Sequence, residues 1–429
     1  MIAAAVSPAR ACAFTVIRRV FERGAYADRA LAAEAAGLEP RDRALATQLA
    51  YGTVQRRATL DHVALELTQR SPDALDPPIL AALRLGLFQV LLLDGIADHA
   101  AVNESVELAK AAGGGGFKLV NAALRRATRD GAAILERLGD ETPERAAIFR
   151  SVPEWLAQLW WSELGPATAR ALLARVNEPA ESVLRVNALK STPQEVLERL
   201  PVPARLVAGA PEALILEGPF DAHGSELWKE GAIMPQSRGS MLVARVLAPE
   251  PGDRVLDLCA APGAKTTHLA ALIQNAGEVV AVERHAGRAE SLRQTAARMG
   301  AVCVRVEQGD AGAVRPEEAF DRVLVDPPCS GLGTLQSRPD IRWRASPIEI
   351  AALSAIQARI LAAGAAATRP GGVLVYSVCT ITKAEGEGVI GEFIAVHPEF
   401  VVERRMQLLP HLDGTDGFFI ARLRRSDSD

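Results

Sequence analysis

The chain has 429 residues, with 48 basic and 52 acidic side chains and a formal net charge of −4. At roughly 100–200 residues per domain this length predicts two to four domains, and 49% hydrophobic with 23% charged residues excludes a mostly disordered chain. The charge balance excludes a uniformly basic nucleic-acid binder; with six lysines the basic residues are almost all arginine.

The five cysteines, Cys12, Cys259, Cys303, Cys329 and Cys379, are sparse, odd in number and unpaired in spacing. That is a poor disulfide framework, and no CxxC pair marks a metal knuckle. The opening MIAAAVSPARACAF lacks the charged start and sustained apolar run of a signal peptide. No stretch reads as the ~20 uninterrupted apolar residues of a membrane span, and Ile79–Leu93 is broken by Arg84. The expectation is a soluble, monomeric, cytoplasmic protein with reduced thiols, no metal and no membrane partner.

In chain order, apolar residues first recur at three- and four-residue spacing through 13–21, 44–54, 60–67, 79–93, 101–111 and 119–127, which predicts an all-α bundle over residues 1–141. The glycine run 113–116 predicts a loop between two helices. Residues 142–235 mix helices (153–164, 167–176, 193–200) with short strands (182–187, 213–217), a small α+β subdomain. Residues 236–429 alternate strands at 254–258, 279–283, 302–307, 322–326 and 373–377 with helices at 266–273, 286–299, 348–367 and 385–396. Such repetition predicts a mainly parallel, doubly wound Rossmann-like α/β sheet, closed by a hairpin of 401–408 and 417–423.

In a doubly wound sheet, ligands bind beyond the carboxyl ends of the strands at the switch point. The first strand runs into Cys259, Ala260, Ala261, Pro262, Gly263, Ala264 and Lys265 and then a helix. Small residues there let the backbone approach a ligand, and the helix start offers free N–H groups. The second strand ends at Glu283, suited to ribose hydroxyls, and the third at Gly309-Asp310, suited to an adenine amino group. A nicotinamide cofactor would also use a ribose carboxylate, but its pyrophosphate calls for a GxGxxG turn, and this loop has one glycine. S-adenosylmethionine, which has no phosphate, fits better.

The fourth strand ends in Asp326-Pro-Pro-Cys329-Ser-Gly and the fifth at Cys379, so two cysteines reach the edge expected to hold the methyl donor. Cys12 and Cys303 read as inert buried thiols. C5 of a pyrimidine is not nucleophilic by itself, but a thiolate added at C6 makes an enamine that can attack a methyl group. One cysteine would add and the other could assist elimination. Asp326 is placed to hydrogen-bond the cytosine N3 and amino edge.

The segments VLDLCAAPGAKTTHLA, LVDPPCSGLGT, RPDIRW, LVYSVCTITKAEGEG and DGFFIARL resemble the bacterial RNA cytosine-C5 methyltransferases of the Sun/Fmu type. MPQSRGSMLVA is similar to their segment entering the catalytic domain. DRALATQLAYGTVQRR, LRLGLFQVLLLDGIADHAAVNESVELAK and LVNAALRR resemble the NusB-like RNA-binding domain that precedes it. The resemblance implies Cys379 as nucleophile and Cys329 as the cysteine that releases product. It also implies S-adenosyl-L-methionine held by Cys259–Lys265, Glu283, Asp310 and Asp326, and 16S ribosomal RNA as partner, within an assembling small subunit or free. Three positions depart from the pattern: Ala264 stands where Gly is usual, Val378 where Thr is usual, and Gly386 where Asn is usual.

RNA held by a mildly acidic protein needs a local basic patch. Arg338, Arg342 and Arg344 around Trp343 are the candidates nearest the catalytic turn, and the target base must leave its stack to meet a cysteine. Two other functions share most of these features: a transfer-RNA cytosine-C5 methyltransferase, and a non-catalytic RNA-binding assembly factor on the same fold. An amino-group methyltransferase would need an aromatic where Cys329 stands. A DNA cytosine methyltransferase would leave Cys379 unexplained.

Overall fold

The computed structural model describes residues 6–113, 115–313 and 319–427. Gly114 of the glycine run and Met1–Ala5 of the leader reading lie outside them. The chain divides into two compact units, Met1–Glu178 with Leu335–Arg344, and Pro179–Thr334 with Ala345–Asp429.

The first unit is helical: α1 (Pro8–Arg23), α2 (Ala27–Glu34), α3 (Pro40–Gln55), α4 (Arg57–Thr68), α5 (Pro77–Leu92), α6 (Asp98–Ala111) and α7 (Phe117–Glu136). Every residue of α5 from Ile79 to Gln89 is buried, because a helix apolar all round must sit at the centre of its bundle. Arg84, the residue that breaks this run in sequence, is buried against Asp61 through two bonds of 2.6 and 2.8 Å. Three further helices, α8 (Pro143–Arg150), α9 (Glu154–Leu164) and α10 (Pro166–Arg175), belong to this unit. Sequence reading places α9 and α10 with the α+β segment 142–235 and does not name α8.

The short helix α16 (Ile341–Arg344) also belongs here, and it corrects one expectation. Arg342 is fully buried; its guanidinium donates to the carbonyls of Ser151, Val176 and Leu335 and to Asn177 Oδ1 at 2.8–3.3 Å. Trp343 packs on the helical core and donates its indole N–H to Val54 O at 2.7 Å. These two side chains therefore hold the unit together and are not free for phosphates or bases. Arg338 and Arg344 are half-exposed and flank the Tyr26 ring, 5.8 and 4.1 Å from its centre.

The second unit holds two sheets. The smaller has order β2-β3-β1-β4, antiparallel throughout, from β1 (Val183–Val186), β2 (Ala204–Val207), β3 (Ala210–Leu216) and β4 (Ile233–Pro235), with α11 (Pro193–Arg199) and α12 (Glu226–Lys229). Strands β2 and β4 were not expected: one is mostly exposed, and the other spans three residues, too short for alternation to register.

The larger sheet comprises β5 (Arg254–Leu258), β6 (Glu278–Glu283), β7 (Val304–Gln308), β8 (Phe320–Val325), β9 (Thr368–Val378), β10 (Phe400–Leu408) and β11 (Phe418–Arg425), in order β10-β11-β9-β8-β5-β6-β7. The pairings from β9 to β7 are parallel and the closing hairpin is antiparallel. Between them run α13 (Arg238–Leu247), α14 (Ala264–Leu272), α15 (Ala286–Met299), α17 (Pro347–Ala367) and α18 (Val389–Val396), while α19 (Pro410–Asp413) forms the hairpin's turn. Alternate strand residues serve two layers: Val255, Val279 and Val375 meet α13 and α14, whereas Leu256, Val280 and Tyr376 meet α17 and α18. Burial on both faces explains why these strands read as continuous apolar runs.

Helix α17 is, among the described residues, the one helix whose 21 residues are long and apolar enough by length and composition to cross a bilayer, although Glu349 and Arg359 interrupt its apolar run. Here Ile360, Leu361 and Ala365 pack against the sheet, as a core helix does.

Candidate active site

The strand order reverses at β5, with β6 and β7 on one side and β8 and β9 on the other. Parallel pairing brings the carboxyl ends of all five strands to one edge, and the expected site residues follow those ends.

After β5, Cys259 has φ 69° and Gly263 φ 104°, both left-handed. A Cβ at Gly263 would stand 2.7 Å from Leu292 Cδ1, so glycine is required for backbone and for space. Ala264 is the first residue of α14, in helical backbone, so the missing glycine there costs no conformational freedom. Burial first, then Asp326, Asp257 and Glu283, push the Cys259 thiol up to about 12, which makes it a packing residue and no nucleophile.

Glu283 is buried; its carboxylate accepts from His285 N at 2.8 Å and stands 3.4 Å from Arg288 Nε. Asp310 is half-exposed, accepts from Gly312 N at 3.0 Å and pairs with both terminal nitrogens of Arg359 at 2.9 and 3.2 Å. The Arg359 bond lowers the Asp310 carboxyl below its ordinary value.

At the end of β8, Asp326 takes Lys265 Nζ at 2.7 Å on one oxygen and Ser377 Oγ at 2.8 Å on the other. Burial opposes a charge on Lys265, but Asp326 outweighs it and raises the lysine. The Sγ atoms of Cys329 and Cys379 lie 3.3 Å apart. The surroundings favour the proton on Cys329: its thiol is pushed well up by the bond to Cys379, then by burial and by Glu385 and Asp326. Cys379 is lowered by the same bond and by Lys265, against burial.

Sequence reading missed Ser377, which orients Asp326, and Glu385, which lies 0% exposed in a π-helical turn, Ala384–Gly388. Neither carries a periodic signal; Glu385 stands in the segment where only the absent Asn had drawn notice. A Cβ at Gly386 would lie 2.9 Å from Phe419 Cγ, so the glycine lets this turn close on the sheet. Val378 points into the apolar layer with α17 and α18.

Residues 244–424 match the family described as 16S rRNA methyltransferase RsmB/F, residues 7–129 the NusB family, and residues 152–223 an RsmF/B-like ferredoxin-like domain. A probable ribosomal RNA small subunit methyltransferase B of Synechocystis sp. is 37% identical over 97% of this chain and 99% of its own. Ribosomal RNA small subunit methyltransferase B of Thermus thermophilus is 38% identical over 90% of each. The crystal structure of PH0851 superposes with TM-score 0.83 at 28% identity, covering 98% of this chain and 99% of that one. With identity of that extent across the helical, ferredoxin-like and methyltransferase parts alike, the chain belongs to the RsmB/F family of 16S ribosomal RNA methyltransferases.

Proposed function

We propose that the protein methylates C5 of one cytosine in 16S ribosomal RNA, using S-adenosylmethionine and a covalent bond between Cys379 and cytosine C6. The observation that carries this reading is the thiol pair at the strand edge, with Lys265 and Asp326 beside it. The donor set suits the cofactor: a small-residue turn, the buried Glu283 carboxylate for ribose and Asp310 for the adenine amino group. When bound, S-adenosylmethionine supplies an electrophilic methyl group.

The chain's own groups do the rest. Cys379 adds as thiolate to C6, breaking the C5–C6 double bond and leaving nucleophilic density at C5. Lys265 holds Asp326 at the base edge through a 2.7 Å bond, where the carboxyl can hydrogen-bond the cytosine N3 and amino edge. After C5 is methylated, it loses its proton to water and the C6–S bond breaks. The Cys329 S–H then donates to the departing Cys379 thiolate. Arg338 and Arg344 remain candidate RNA contacts, and a reaction on ribosomal RNA by reduced thiols belongs in the cytoplasm.

The test is asymmetric. Cys379→Ala should lose methylation of a 16S transcript by more than about 1,000-fold, as loss of a nucleophile does, and form no denaturant-resistant protein–RNA adduct. Cys329→Ala should accumulate that adduct. Exchanged phenotypes would reverse the two roles. Bisulfite mapping of total RNA with and without the protein locates the cytosine; a change confined to transfer RNA would favour the other substrate, and no change would remove the activity.

A further inference from the structure

Glu385 lies outside the reacting groups, yet it touches both cysteine turns. One carboxylate oxygen accepts from Ser330 N at 2.7 Å and Gln357 Nε2 at 3.1 Å. The other takes Ser330 Oγ at 2.5 Å, Thr382 Oγ1 at 3.0 Å and Thr380 Oγ1 at 3.2 Å. Ser330 follows Cys329, and Thr380 follows Cys379. The two hydroxyls also meet each other at 2.7 Å, directly behind the pair of sulfurs.

The partners are themselves anchored. Gln357 on α17 donates to Pro328 O at 3.0 Å, and Tyr376 Oη on β9 lies 2.6 Å from Glu385 O and 3.1 Å from Gln357 Oε1. Glu385, Gln357, Thr380 and Tyr376 are all 0% exposed. A buried carboxylate facing only donors is stable because each donor offsets its lost hydration. The cluster's hydrogen bonds run to the residues that follow the two cysteines, Ser330 and Thr380, and to Pro328 O just before Cys329.

We infer that Glu385 is a positioning residue for the methyl-transfer reaction: by clamping Ser330 and Thr380 it sets the two cysteine turns at one separation and in one orientation. This rests on the reading of Cys379 as nucleophile. The turns come from different strands, β8 and β9, and the carboxylate ties them together beside the Ser330–Thr380 hydroxyl bond and the main-chain bond from Gly333 N to Cys379 O at 3.0 Å. Its charge has a second effect. Glu385 and Asp326 face Cys329, whereas Asp326, Lys265 and Asp416 face Cys379. Among the described residues, Lys265 acts on Cys379, whereas Glu385, bonded to Ser330 N beside Cys329, acts on Cys329, an asymmetry that favours the shared proton on Cys329.

Glu385→Gln and Glu385→Ala separate the two effects, because Gln keeps an acceptor for Ser330 N and a donor that the hydroxyls can turn to meet. With the full chain, single-hit iodoacetamide alkylation is read at each cysteine by peptide mass spectrometry from neutral to alkaline pH. In the unsubstituted protein Cys379 reacts first. In Glu385→Gln the preference for Cys379 should fall about tenfold, equivalent to one pKa unit between the thiols, with the thermal transition unchanged. In Glu385→Ala, kcat on the 16S transcript should fall about 100-fold, the scale of a misplaced reacting group, with KM for RNA unchanged and substantial recovery in Glu385→Gln. An unchanged labelling preference in Glu385→Gln would overturn the electrostatic part and, if Glu385→Ala also kept kcat, the whole inference. If Glu385→Ala does not fold, Thr380→Val, which removes one clamped hydroxyl and keeps the carboxylate, decides: a lower kcat with KM for RNA constant supports the clamp, and wild-type turnover overturns it. Preferential labelling of Cys329 in the unsubstituted protein would instead overturn the nucleophile assignment, a failure visible before any substitution is made.

Discussion

At the residue scale, the site sorts its ionisable groups by burial and partner. Cys259 and Cys379 sit at the same strand edge, but one is driven up by burial and then by carboxylates, and the other is held down by a thiol donor and a lysine. Asp257, fully buried at the end of β5 and hydrogen-bonded by Thr266 Oγ1 at 2.6 Å, is pushed up to about 7, chiefly by burial and then by Asp326. An unfolded aspartate titrates near ~3.9, so Asp257 binds its proton more tightly when folded. Stability from this group is complete below about pH 4 and is lost as pH rises through about 7. Asp257→Asn should flatten that decline, measured as urea midpoint against pH for the unliganded protein. A decline of unchanged slope would show that another group causes it. Sequence placed Cys379, Asp326 and Glu283 at strand ends because each follows an apolar run directly, and Cys329 beside them because only a Pro-Pro turn separates it from Asp326. It could not show the Lys265–Asp326–Ser377 bonds, since these join three elements at a distance that no local pattern encodes.

At the element scale, the strands after residue 250 were legible because a parallel sheet covered on both faces needs short apolar runs with polar ends. Val302–Glu307 was displaced from the observed β7, Val304–Gln308, since Val302 is apolar but exposed and precedes the pairing. The π-helical turn at 384–388 was not legible: helical periodicity from 385 onward hides one extra residue in the turn. The resemblance leads one to expect Asn at Gly386 of that turn, and packing against Phe419 accounts for the glycine found there. Gly386→Asn should cost about 1–3 kcal/mol by overpacking against Phe419, read as a lowered urea midpoint, with Phe419→Leu restoring part of it. An unchanged midpoint would mean that the turn has room for a side chain.

At the scale of the whole molecule, residues adjacent in sequence serve different units. The chain passes from the second unit to the first at Leu335 and returns at Ala345. Arg342 was read as an RNA ligand because an arginine-tryptophan cluster after a catalytic turn looks like a nucleic-acid contact. In the fold its guanidinium satisfies three main-chain carbonyls and Asn177. Arg342→Met should therefore destabilise the helical unit by about 3 kcal/mol or more, since removing one partner strands several buried acceptors. The measurement is the thermal transition of the full chain, and a transition unchanged by Arg342→Met would return this residue to the RNA-binding candidates.

The opening charge of −4 and five cysteines excluded a uniformly basic binder and a disulfide scaffold. Local order then supplied more: helical periodicity marked the N-terminal bundle, and apolar runs ending in acidic, small or thiol residues marked the sheet and its active edge. Such features are written along the chain, so sequence alone determined them. Tertiary structure decided which arginines are spent internally, which thiol keeps the proton and what holds the cysteine turns together. Those depend on burial and on hydrogen bonds between residues tens of positions apart, and both exist only once the layers have packed.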